Sequence, residues 1–206
     1  MEVVHVSGWL RRDERRLRLL REFSQPLTAH QLARQHGARR SGCSAVLREL
    51  ARHGLMECLN PEARRSRVYG LTPKGVALQQ RLRDQAGLRP FPEAPAVDWS
   101  LYGWVCYSHR GAVLRVLDEP LQPSAIKRKA RYYEPGIRMS ANNVRDVIKL
   151  FVEQGIVRPV RSPGRARPRY ELTRRGHALQ GLLLAAETRI QYNEVTRRDG
   201  QRSGAA

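Results

Sequence analysis

The chain is poor in cysteine, acidic residues, aromatics and long apolar runs, and each shortage removes a class of protein. Its three cysteines, Cys43, Cys58 and Cys106, are odd in number and form no CxxC pair. That argues against a disulfide framework and a structural zinc site, and for a reducing, intracellular setting. The longest apolar stretch, Leu182-Leu183-Leu184-Ala185-Ala186, falls far short of a membrane span. Met1-Glu2-Val3-Val4-His5-Val6 lacks the charged start, apolar run and cleavage site of a secretory signal, so a cytoplasmic, nucleoid-associated location is expected. No P-loop, HExxH motif, nucleophile elbow or acidic cluster suited to two metals can be written from these residues. The expectation is therefore a protein that is not an enzyme and holds no cofactor and no metal. Asp13-Glu14 and Asp118-Glu119 read as caps or surface pairs, and the histidines at 5, 30, 36, 53, 109 and 177 are dispersed.

What is abundant is positive charge. Against 19 Asp+Glu stand 38 Lys+Arg, a net charge of +19 in 206 residues, and the isoelectric point near 11.2 exceeds the value of about 9 that marks nucleic-acid binders. Most of the excess is arginine, whose planar fork donates two parallel hydrogen bonds to a phosphate or a guanine edge. A membrane surface is the other anionic target, but no basic amphipathic helix without a core partner stands out.

The chain also repeats itself. Gly54-Leu55-Met56-Glu57-Cys58-Leu59 and Val68-Tyr69-Gly70-Leu71-Thr72-Pro73-Lys74-Gly75 recur as Gly155-Ile156-Val157-Arg158-Pro159-Val160 and Arg169-Tyr170-Glu171-Leu172-Thr173-Arg174-Arg175-Gly176. Both anchors move by 101 positions, from Gly54 to Gly155 and from Gly75 to Gly176, so the match is a register. Upstream, Gly8-Trp9-Leu10 pairs with Gly103-Trp104-Val105 and Pro26-Leu27 with Pro120-Leu121, at shifts of 95 and 94. Two copies of one domain follow, each of roughly 80 to 100 residues, enough for one small core.

In the first copy Leu17, Leu19 and Leu20 begin an amphipathic helix. Thr28-Ala29-His30-Gln31 signals a second one through a capping box, with Leu32 and Ala33 inward and Gly37 at its end. After Ala38-Arg39-Arg40-Ser41, a third helix buries Val46, Leu47 and Leu50 and stops at Gly54. Strands over 55–59 and 67–71 form a hairpin with arginines at its tip, and Thr72-Pro73 starts a last helix. The second copy has seven extra residues around Arg131-Tyr132-Tyr133-Glu134-Pro135-Gly136-Ile137. Its third helix carries Val144, Val147, Ile148 and Phe151 at i, i+3, i+4 and i+7. Segment 84–98, with Pro90, Pro92 and Pro95, reads as a stiff linker. The division expected is thus a first domain over 1–83, the linker 84–98, a second domain over 99–192 and a disordered tail over 193–206.

The order helix, helix, helix, hairpin, helix, ending in tyrosine-x-leucine-threonine-x-x-glycine, resembles the winged-helix DNA-binding proteins of the MarR/ArsR type over residues 9–83 and again over 104–186. The resemblance implies a mainly α fold with small β-hairpin wings (α+β), as two winged helix-turn-helix domains in tandem. It implies a third helix in the major groove of double-stranded DNA, a wing along the backbone or in the minor groove, and a role in transcription regulation.

On the third helices, with the apolar residues inward, Asn142, Arg145, Asp146 and Lys149 face out in the second copy, and Ser44, Ala45, Arg48 and Arg52 in the first. Asparagine pairs with adenine and arginine with guanine through two bonds each; Ser140 and Asn143 at the helix start join this set. The bland alternative is a solvated helix face. The wings supply Arg64, Arg65 and Arg67, then Arg161, Arg165, Arg167 and Arg169, while Arg39 and Arg40 stand beside the amides of the first copy's third helix. Five to eight phosphate contacts give log affinity against log salt a slope of about −5 to −7. Two such domains can grip adjacent groove segments about one turn, ~34 Å, apart.

Cys43, under the same displacement, aligns with Val144 and reads as a small core residue rather than a metal sensor. Trp9, Trp99, Trp104, Tyr102, Tyr107, Tyr132 and Tyr133 have rings that can stack on exposed bases; most read instead as core or inter-domain packing, with Tyr132-Tyr133 in the longer turn the exception. Leu179, Leu182, Leu183, Ala186 and Ile190 either pair two chains as a homodimer or pack on their own domain. Besides a regulator, an origin-binding replication initiator, an architectural protein and an accessory subunit of a nucleic-acid enzyme remain open readings.

Overall fold

A computed structural model describes residues 8–92, 95–160 and 168–187; the tail 193–206, Ile190 and wing residues Arg161, Arg165 and Arg167 lie outside them. The chain is mainly helical with small antiparallel sheets. It divides into two compact units that part between Gly103 and Trp104. The proline-bearing segment 84–98 therefore falls inside the first unit and is not the division itself.

In the first unit, a helical turn over 8–11 precedes α1 (Glu14–Glu22), whose cap Asp13 accepts a hydrogen bond from the Arg15 amide at 2.9 Å. Strand β1 (Leu27–Thr28) leads into α2 (Ala29–His36). The expected capping box is present, since Thr28 Oγ1 accepts from the Gln31 amide and Gln31 Oε1 accepts from the Thr28 amide. Gly37, at φ 58°, ends α2, and α3 (Arg40–Arg52) follows. Strands β2 (Met56–Cys58) and β3 (Val68–Leu71) and helix α4 (Pro73–Asp84) complete the unit's repeat copy. The sheet order is β1-β3-β2, with Leu27 opposite Tyr69 and Cys58 opposite Tyr69 on the other side.

Helix α5 (Trp99–Val105) is followed in the second unit by α6 (His109–Arg115), α7 (Pro123–Tyr133), α8 (Ala141–Glu153), β4 (Val157–Val160) and β5 (Arg169–Leu172). A last helix, α9, runs over 174–187. Leu121 forms an antiparallel bridge with Tyr170, the counterpart of Leu27 with Tyr69 at the sequence displacements of 94 and 101. α8 buries Val144, Val147, Ile148 and Phe151 as its spacing predicts. In α3, Cys43 joins Leu47 and Leu50 inside, whereas Val46 is half-buried. Burial also pushes the Cys43 thiol above its ordinary pKa, which keeps it protonated and uncharged at neutral pH.

The repeat extends to single hydrogen bonds. α3 ends with Leu55 N donating to Leu50 O at 2.9 Å and Gly54 N to Ala51 O at 2.9 Å. α8 ends with Ile156 N to Phe151 O at 2.8 Å and Gly155 N to Val152 O at 3.0 Å. Gly54 at φ 67° and Gly155 at φ 64° occupy the left-handed position this closure requires. Thr72 Oγ1 and Thr173 Oγ1 then bond Gly54 O and Gly155 O, each at 2.6 Å, while accepting from the amides of Gly75 and Gly176.

Buried Gln79 donates to Leu20 O at 2.7 Å and to Phe23 O, tying α4 to the end of α1. Gln180, displaced by the same 101 positions, donates to Leu114 O at 2.9 Å and Arg115 O at 3.4 Å. Leu179, Leu182, Leu183 and Ala186 of α9 are buried in the core, so of the two readings of that stripe the side chains follow packing on their own domain. The segment after α4 packs too: Arg83 donates to Arg89 O and Arg21 O and lies 3.7 Å over the Phe91 ring.

Changing Gln79 or Gln180 to alanine removes the donor from carbonyls that stay buried. Each change is expected to lower stability by about 1–3 kcal/mol, read as a lower urea midpoint at unchanged m value. Gln80→Ala, at an exposed neighbour, should stay within about 0.5 kcal/mol; equal effects of the two would show that the bridge contributes nothing.

Candidate nucleic-acid interface

Helix α3 turns a cationic side outward. The 100° rotation per residue that sends Cys43, Leu47 and Leu50 inward leaves Arg48 and Arg52 exposed on the far side and Ser44 half-buried on the flank, while Arg39 and Arg40 are exposed at the helix start. The N-cap position of α3 is Arg39, which makes no side-chain cap bond. The first turn therefore keeps its dipole end beside two guanidinium groups.

Helix α8 presents Asn142, Arg145, Asp146 and Lys149 to solvent, as expected. Arg145 Nη1 donates to Asn142 Oδ1 at 2.9 Å, so the two base-reading candidates act as a pair. Ser140 and Asn143 are different. Ser140 Oγ accepts from the Asn143 amide at 3.1 Å, and Asn143 Oδ1 accepts from the Ser140 amide and hydroxyl, each at 2.8 Å. They form a capping box, and that bonding gives them a helix-starting role.

The loop between β2 and β3 is built around one asparagine. Asn60 is 1% exposed. Its Oδ1 accepts from the Val68 amide at 2.7 Å and its Nδ2 donates to Ser66 O at 3.3 Å, while its carbonyl accepts from the Ala63 amide at 3.0 Å. Ser66 takes a positive φ of 52°, a conformation that costs a non-glycine residue energy and persists where bonding over-determines it. Gly103 closes over this root, since a Cβ there would strike Asn60 Nδ2, Ser66 O and Val68 Cγ2. The result is a loop with a fixed base that holds Arg64, Arg65 and Arg67 exposed. Arg67 Nε bonds back to Ala63 O at 3.0 Å. In the second unit Arg169 is exposed at the start of β5, and Arg158 pairs across the hairpin with Glu171.

The tryptophans pack with parallel roles. Trp9 stacks on His53 at 3.8 Å with the Arg16 guanidinium 4.4 Å from its ring. Trp104 meets Phe151 at 6.0 Å and carries Arg110 at 4.1 Å. Tyr102 is fully buried and its hydroxyl accepts from Gln31 Nε2 at 2.8 Å. The extra residues of the second copy lengthen both α7, which ends on Tyr132 and Tyr133, and the turn that follows it, so they form the corner between α7 and α8. There Arg128, Arg131 and Arg138 are exposed, three arginines that helical periodicity did not single out; the only signal for them was the added length. Among the described residues no three His, Cys, Asp or Glu side chains converge, and no helix is long and apolar enough to cross a membrane.

Comparison with known proteins adds one finding. Residues 17–100 are similar to the family described as Replication-relaxation. That stretch runs from α1 into the start of α5 and leaves the second unit outside the match. No curated protein matches the chain, and no solved structure does.

Asn60→Ala leaves the Val68 amide and Ser66 carbonyl without their partner. A loss of about 1–3 kcal/mol in thermal or urea unfolding is expected, together with faster tryptic cleavage at Arg64 and Arg65 in the folded protein. A loop as protease-resistant as the wild type would refute the anchoring role of Asn60.

Proposed function

We propose that the chain is a pair of winged helix-turn-helix domains of the MarR/ArsR type that binds double-stranded DNA, and that it serves DNA replication as an origin-binding or architectural protein. The observation that carries the reading is the first unit's combination of a helix with an exposed cationic side, α3, and a rigid hairpin tip bearing Arg64, Arg65 and Arg67. A groove-entering helix beside a phosphate-gripping loop needs that pairing. The second unit repeats the helix order and its closing bonds, which supports a second DNA-binding module.

The similarity of residues 17–100 to the replication-relaxation family favours a replication role over the transcription regulator implied by the MarR/ArsR resemblance. Nothing in the structure favours regulation specifically.

In this reading Arg39, Arg40, Arg64, Arg65, Arg67 and Arg169 meet phosphates, while Arg48, Arg52, Asn142, Arg145 and Lys149 face base edges. Duplex affinity is expected to fall with salt at a slope of about −5 to −7 on log axes. Arg64→Ala, Arg65→Ala and Arg67→Ala combined should reduce that slope by about 2–3 units at every sequence tested. Asn142→Ala should instead weaken discrimination at one or two base positions by about 1–3 kcal/mol. Fluorescence anisotropy over a salt series measures both, and a salt-independent affinity would sink the proposal. Mapping bound sites across a genome separates the roles, with clustering at replication origins expected and clustering at promoters arguing for regulation.

A further inference from the structure

The corner between α7 and α8 bears the second copy's seven extra residues, and it exposes two aromatic rings. Tyr132 is 82% exposed and Tyr133 59%, and the rings sit edge to face at 5.7 Å and 86°. A tyrosine buries a large apolar face at little entropic cost when it finds a partner, and both rings keep most of their surface open. The perpendicular arrangement leaves ring faces open to a third planar group.

The surroundings are cationic. Arg128 and Arg131 on α7 and Arg138 before α8 are exposed on the same corner. The corner's acid, Glu134, is turned to Arg115, whose Nη1 lies 3.1 Å from its carboxylate. Burial works against the Arg115 charge, but its bonds to Glu187 and Glu134 outweigh that and hold its pKa above the ordinary value. Glu134 is thereby held by a permanent cation. Asp118 is likewise held by Lys129. The same corner holds an open hollow of about 770 Å³, lined by Arg131, Ile137, Arg138 and Met139 and reaching Ser140. It mixes apolar walls with guanidinium groups and is large enough for a nucleotide.

We propose that this corner binds unpaired DNA, stacking bases on Tyr132 and Tyr133 and gripping the adjoining phosphates with Arg131 and Arg138. The choice of a single strand follows from the chemistry. In a duplex the faces of the bases are covered by their neighbours, so a ring meets sugar and phosphate; a lone strand offers faces to stack on. Paired aromatics inside a basic surface are the arrangement by which sequence-tolerant single-strand binders work. The inference deepens the DNA-binding reading and takes from it only that the chain meets DNA. A second domain so equipped suits a protein acting where a duplex opens.

The test uses the full chain and three probes: a blunt duplex, the same duplex with a single-stranded extension, and oligothymidylate. Wild type is expected to bind the extended duplex more tightly than the blunt one. The double change Tyr132→Ala, Tyr133→Ala should lose about tenfold or more in affinity for oligothymidylate and erase the advantage of the extension, with blunt-duplex binding within about twofold. Tyr132→Phe with Tyr133→Phe should retain the advantage because the rings remain. Arg131→Ala with Arg138→Ala should reduce the salt slope on oligothymidylate by about 1.4, at about 0.7 per phosphate.

The proposal is overturned if the extension adds nothing, if the alanine pair leaves its advantage intact, if blunt and extended probes weaken equally, or if the alanine pair changes only the sedimentation of the chain, which would make the rings a protein contact. Failure on blunt duplex with tyrosine-dependent oligothymidylate binding would remove the duplex reading and leave this one standing.

Discussion

The fold of each unit depends on how its last helix closes over the start of its hairpin. The backbone at that crossing is the constraint: Leu55 O accepts from the Thr72 amide at 3.2 Å and Ile156 O from the Thr173 amide at 3.0 Å. One turn into each helix, Gly75 and Gly176 press against the same carbonyls, and a Cβ at either would collide with them. Only glycine permits that approach. The hairpin therefore leaves α3 or α8 in a direction fixed by backbone, while the glutamine one turn further along anchors the middle of the closing helix to α1 or α6. Cationic side chains on the hairpin and on α3 inherit their mutual placement from this closure, because within the first unit both grow from elements it joins.

Much of this was legible because it is local. The Thr28–Gln31 capping box, the left-handed Gly54 and Gly155, Pro73 at the first helical position and the inward side of α8 are all set within four or five residues, the range over which caps and periodicity act. What sequence reading missed needs partners from far away. β1 has two residues, too few for alternation to register, and exists because β3 offers an open edge. Asn60 stands before Pro61 and reads as an ordinary turn residue, yet the Val68 amide eight positions on makes it a buried anchor. The prolines of 84–98 suggest a stiff linker, but Arg83 and Phe91 bring the segment onto its own unit. Val46 sits in a helical apolar pattern with Leu47 and Leu50 yet is only half-buried, whereas Cys43 turns inward as its alignment with Val144 predicts.

The candidate interface was legible in part for the same reason. Exposed positions follow from the buried ones by rotation, so the faces of α3 and α8 could be read directly. Hydrogen bonding could not. Ser140 and Asn143 have the chemistry to touch DNA, and the Ser140 hydroxyl and Asn143 Oδ1 also turn onto one another's side chain and amide to start α8.

That cap marks the clearest difference between the two copies. α8 opens on a reciprocal side-chain box, whereas α3 opens on Arg39 with no side-chain cap. In the first unit the capping box lies one helix earlier, at α2, whose counterpart α7 begins at Gln122-Pro123 without one. A phosphate approaching α3 meets the positive end of the helix with guanidinium groups beside it, while at α8 the cap's own oxygens already occupy that position. The second copy instead has a longer approach to its helix, with arginines and exposed rings. Identical closure with exchanged helix starts is what two domains on one scaffold show when the core is held constant and the outward chemistry has diverged.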